Sequence, residues 1–147
     1  ITGKTAAEII VSRANASQPN MSLSSWKGSI VRKQDIYIAK NYLTEDEIDN
    51  LNRFVTVFLE TAELRAKNRQ DLTTDFWRQN IDKIIELNDK AILKTAGEIS
   101  HQQMEKMVEE VYEKFDARRK TEEAQKADEQ EIEELKQLEN KLKKRKK

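Results

Sequence analysis

The chain has 147 residues, 37% charged and 37% hydrophobic, with 27 basic residues balancing 27 acidic ones. A formal net charge of zero gives bulk electrostatics no claim on a nucleic-acid or membrane-surface partner. The absence of cysteine excludes disulfides, thiolate metal sites and cysteine nucleophiles, and fits a reducing, cytoplasmic setting.

Only 3 glycines and 1 proline are present, whereas abundant Glu, Lys, Gln, Ala and Leu favour long helices over turn-rich sheets. The expected fold is all-α, a small helical bundle with a long charged C-terminal helix. No apolar run approaches the ~18 residues that cross a bilayer, so no membrane partner is expected. The first residue is Ile1 rather than Met, the expectation for a fragment or processed product.

Thr5 to Ala14 reads as a short helix with Ala6, Ile9, Ile10 and Arg13 near one face. Gly3-Lys4-Thr5 resembles the end of a phosphate-binding loop, but the earlier glycine and the preceding strand are missing. Thr2 or Thr5 is read as a helix cap instead. Asn15-Ala16-Ser17 matches a glycosylation sequon and, without a secretion signal, is read as chance.

Asn15 to Ile30 is a long loop, rich in Ser and Asn, in which Met21, Leu23 and Trp26 are expected to pack onto the body. Trp26, Lys27, Arg32, Lys33 and Lys40 interleave an aromatic with bases, a pattern able to stack on and neutralise nucleic acid. Trp26 serves equally well as a plug that anchors the loop. Asp35 to Leu43 fits either strand alternation or a helix, and helix is the preferred reading.

Thr44 and Glu47 form a capping box that opens a helix from about Glu45 to Arg69. Its stripe of Ile48, Leu51, Val55, Phe58 and Ala62, widened by Phe54 and Leu59, is expected in the core. Glu60 and Glu63 resemble a carboxylate pair for acid–base work but read better as part of a solvated, ion-paired face. After a break at Asp71–Thr74, Phe76, Trp77, Ile81, Ile84 and Ile85 mark a second amphipathic helix pairing with the first. Asn88-Asp89 closes it, and Ile92, Leu93 and Gly97 belong to a linker.

Ser100 and Gln103 form another capping box, next to the only histidine, His101, which is expected to be exposed. Met104, Met107, Val108, Val111, Tyr112 and Phe115 then keep helical period. No bulky apolar residue follows until Ile132, Leu135, Leu138 and Leu142, a narrow second stripe without sustained heptads before it. The charges around that stripe are polarised. Seven acids and one base lie between Glu122 and Glu134, and six bases with no acid lie in the last seven residues. Antiparallel tails would match acid to base and bury the stripe in an isologous contact.

Several strings carry a resemblance: Thr2-Gly3-Lys4-Thr5-Ala6-Ala7-Glu8-Ile9, Pro19-Asn20-Met21 leading to Trp26-Lys27-Gly28, and Ile38-Ala39-Lys40-Asn41-Tyr42-Leu43. Leu51-Asn52-Arg53, Phe58-Leu59-Glu60 and Phe115-Asp116-Ala117-Arg118-Arg119 add to them. Together they resemble the C-terminal half of the RhuM family of bacterial virulence-associated proteins. The resemblance implies a protein carried on pathogenicity islands, prophages and other mobile elements, whose N-terminal part, absent here, resembles a DNA-binding region. It implies no catalytic residues.

The expected organisation is a helical core over 1–98, with the loop at about 15–30, and a long amphipathic then charged helix over 99–147 whose tail is coiled-coil-like. The expected function is a non-enzymatic module for self-association, as a homo-oligomer, or for binding a protein partner. Ile132, Leu135, Leu138 and Leu142 form the oligomerisation surface. No cofactor, metal or catalytic set is expected. Direct nucleic-acid binding by Trp26, Lys27, Arg32, Lys33, Lys40 and the terminal lysines is the alternative, and a nuclease or toxin-type enzyme the second alternative.

Overall fold

The computed structural model describes residues 2–145, apart from the side chains of Leu142, Lys144 and Arg145. Leu142, the last member of the expected tail stripe, and Lys144–Lys147 of the basic end therefore lie outside the described side chains.

Among the described residues the fold is all-α. Helices α1 (Ala6–Arg13), α2 (Glu45–Lys67), α3 (Thr74–Leu87) and α4 (His101–Arg145) follow in order, with three 3-10 turns between α1 and α2. Each start has a local chemical cause. The Thr5 hydroxyl accepts the Glu8 N–H while Glu8 accepts the Thr5 N–H at 2.8 Å, so Gly3-Lys4-Thr5 ends in a cap. Thr44 with Glu47 and Ser100 with Gln103 close the same reciprocal box at α2 and α4. Thr73 caps α3 through the Phe76 N–H.

The core forms where α1, the loop segments and the first four turns of α4 meet. Ile9 and Ile10 of α1 pack with Met21, Leu23, Val31, Ile36, Tyr42 and Leu43, and α4 contributes Met104, Val108 and Phe115. Burying each such side chain contributes about 1.5–3 kcal/mol. The segment between α1 and α2 thus supplies six of these eleven residues, and Met21 and Leu23 of the long loop pack onto the body as expected. Hydrogen bonds within this segment pair some of its buried polar groups. Buried Asn41 donates to the Asp35 carbonyl, its own carbonyl accepts the Ser24 N–H at 2.7 Å, and the Tyr42 hydroxyl donates to the Ile36 carbonyl.

Two expectations are corrected. Asp35–Leu43 is not one helix but two 3-10 turns, Asp35–Tyr37 and Ala39–Tyr42, broken at Ile38 in extended conformation. The break lets Ile36 and Tyr42 both enter the core, which a continuous helix would place on different faces. The α2 stripe is not wholly buried either. Phe54 is buried and Ile48 and Leu51 are half-buried against the core, but Val55 is 46% and Leu59 66% exposed. Only the first turns of α2 lie on the core, and beyond them its neighbour is α3. That contact is aromatic, with Phe58 and Trp77 edge to face at 5.9 Å and the Arg65 guanidinium 3.8 Å over the Phe76 ring.

Helix α4 has two characters. Its first part is a core helix. From Thr121 onward every described side chain is exposed, and at 1.5 Å per residue this part runs for about 38 Å.

Candidate functional site

Three surfaces collect the residues able to act on something else. The first is the basic loop. Trp26 is half-buried and packs against the core, where its indole N–H is buried without a hydrogen-bond partner among the described residues. Lys27, Arg32 and Lys40 are exposed. The Arg32 guanidinium lies against Gly28, whose positive φ of 95° turns the loop. Lys33 is paired with Glu109 of α4 at 3.2 Å, and the same carboxylate accepts the Tyr37 hydroxyl. The Tyr37 and Lys33 hydrogen bonds hold the Glu109 carboxyl below its ordinary range, while burial and Glu109 push the Tyr37 phenol up to about 12. The loop therefore brings one of its expected cations to a carboxylate 76 positions away. Sequence reasoning did not single out Glu109, because nothing local marks it.

The second surface is the distal part of α4. Ile132, Leu135 and Leu138 are 52%, 59% and 55% exposed, so the stripe read from their spacing stands in solvent along an isolated helix. The helix carries i,i+4 ion pairs: Arg119 with Glu123 at 2.8 Å, Lys120 with Asp116 at 2.7 Å and Lys143 with Glu139 at 2.5 Å. Arg118 lies 3.3 Å from Glu122 without hydrogen-bond alignment. Helical i,i+4 pairs of this kind contribute about 0.3–0.5 kcal/mol each.

The third surface is an apolar cleft of about 310 Å³ where α2 leaves the core. Ile9, Leu43, Leu51, Phe54, Phe58 and Ile85 are among the residues that line it.

Other residues weighed from sequence lie apart from these surfaces. His101 is exposed in the first turn of α4, 3.1 Å from Glu105. Glu60 and Glu63 are both exposed on α2. Among the described residues, no three His, Asp or Glu side chains converge on a common point.

No curated protein and no solved structure matches the chain. A family model does, described as the virulence protein RhuM family, over residues 1–123. The match takes in α1, the loop, α2, α3 and α4 as far as Glu123, and the distal stripe lies beyond it. With most of its 147 residues matched, including the whole core, the chain belongs to the RhuM family of virulence proteins.

Proposed function

We propose that this chain is a non-enzymatic helical association module of a DNA-associated RhuM-family protein, and that distal α4 is its docking element. The observation that supports it is surface out of proportion to mass. The chain exposes 11418 Å², against about 7,800 Å² for a compact monomer of 17.2 kDa. Part of that excess is a charged helix carrying a narrow apolar stripe. Most helical stability in proteins comes from packing an amphipathic face, and this segment has only weak ion pairs along it. Covering Ile132, Leu135 and Leu138 gives the segment the tertiary partner that helices ordinarily need.

Such a contact is short. It lies at the small end of specific interfaces, so the association is expected to depend on concentration. Light scattering of the chain, and of one ending at Lys120, tests the proposal. The shorter chain keeps every core residue, because the buried cluster ends at Phe115. A mass above monomer that falls to monomer on truncation supports the reading, and equal oligomeric states for the two chains contradict it.

The alternative of direct nucleic-acid binding draws support from exposed Lys27, Arg32 and Lys40. It draws less from Lys33, which is compensated by Glu109. On the loop alone three cations make a thin footprint, worth a salt slope of about −2 to −3, to which the terminal lysines would add. Titration of an oligonucleotide at low salt tests it, and no binding there rejects it.

A further inference from the structure

We infer that the partner of distal α4 is a second copy of the same helix, running antiparallel and centred near Gln137. The inference rests on the association proposed above and adds its partner, orientation and register. Charge decides the orientation. Asp128, Glu129, Glu131, Glu133 and Glu134 form a block without a base, whereas Lys141, Lys143 and the residues that follow form a block without an acid.

A parallel, in-register pair would set acid against acid and base against base along its whole length, and like charges in register are destabilising. Reversing one helix about Gln137 brings Glu133 opposite Lys141 and Glu131 opposite Lys143, twice over by symmetry. The stripe of Ile132, Leu135, Leu138 and Leu142 spans 132–142 and is itself centred on 137, so the same operation lays it back over its own range, with Ile132 opposite Leu142. Sliding one helix by four residues, to a centre at 135, sets Glu131 opposite Glu139, and sliding it by three the other way sets Lys136 opposite Lys141.

The cysteine-free chain permits a direct test of geometry. Gln125→Cys adds one thiol at an exposed helical position outside the stripe, and a spin label there reports the distance between copies in the full-length protein. Antiparallel pairing about Gln137 separates the two labels by about 36 Å along the axis, from 1.5 Å per residue. A parallel pair holds them near the interhelical spacing of about 8–10 Å, or under about 20 Å with the label arms. A distance near 36 Å is the expected result. A distance under about 20 Å overturns the antiparallel arrangement while leaving self-association standing. The absence of any dipolar signal at a concentration tenfold above that used for light scattering overturns both.

Discussion

The Arg13 guanidinium and the Glu47 carboxylate meet in a two-pronged pair, with both nitrogen–oxygen distances at 2.6 Å. Arg13 closes α1 and Glu47 opens α2, so one ion pair joins two helices across the intervening loop. Each partner has a second bond. Arg13 also donates to the Tyr42 carbonyl at 2.7 Å, and Glu47 also accepts the Thr44 N–H of its own capping box. The α2 arm is thereby fixed to the core at its root, although most of α2 leaves it.

Removing either partner is expected to loosen that root. Arg13→Ala or Glu47→Gln should each cost about 1.5–3 kcal/mol, the range for hydrogen bonds to charged groups. A double-mutant cycle by urea unfolding should give a coupling of the same sign. The hydrogen bonds from Arg13, followed by those of the Thr44 cap, lower the Glu47 pKa from 4.5 to about 2. A carboxylate depressed on folding adds stability above its unfolded value. This contribution is therefore complete above about pH 4.5 and is lost as pH falls toward 2. Glu47→Gln should flatten the acid limb of the stability profile in that window.

The loop carries its own strain. Asn20, Met21 and Ser22 have φ of 50°, 57° and 66°, three successive non-glycine residues in the left-handed region. Met21 is fully buried, and its packing offsets a cost of about 1–2 kcal/mol per residue. Met21→Ala should lose about 2–5 kcal/mol. Ser22→Gly should gain about 1 kcal/mol, because glycine adopts this conformation freely. Thermal unfolding of the two variants should move in opposite directions.

Gly97 closes the linker onto α1. Its φ is 84°, and a Cβ there would come within 2.7 Å of Thr5 Cγ2 and 2.8 Å of Glu8 Oε1. The next residue, Glu98, donates its N–H to the same Glu8 carboxylate at 3.0 Å. Gly97→Ala should destabilise by about 1–3 kcal/mol, through strain and loss of that tie. Hydrogen exchange should show faster exchange at the Glu98 amide.

Truncation after Lys120 should leave stability within about 0.5 kcal/mol of the whole chain at concentrations where both are monomeric, as surface changes away from the core do. Helical signal should fall with the lost residues while the urea midpoint holds. A large drop in midpoint would mean that distal α4 supports the core.

Features of short range could be read from the sequence. The caps at Thr44 and Ser100 depend on residues three apart, and both stand where the pattern put them. Periodicity told which α2 residues share a face, but not that the core ends opposite Phe54 and leaves Val55 exposed. The left-handed turn escaped notice because Asn20, Met21 and Ser22 include no glycine. In the candidate surfaces, the Ile132–Leu138 stripe was visible as spacing, and its exposure follows from the absence of a described neighbour. The pairing of Lys33 with Glu109 depends on how α4 crosses the loop, which no local pattern encodes.

The most direct test keeps the tail and removes only its apolar edge. Ile132→Gln, Leu135→Gln and Leu138→Gln in one full-length chain preserve helix propensity and charge while deleting the exposed side chains. Light scattering over a range of concentrations should show the parent rising above monomer mass and the variant remaining at it. If the variant assembles as the parent does, distal α4 is not the docking element and the proposed function fails.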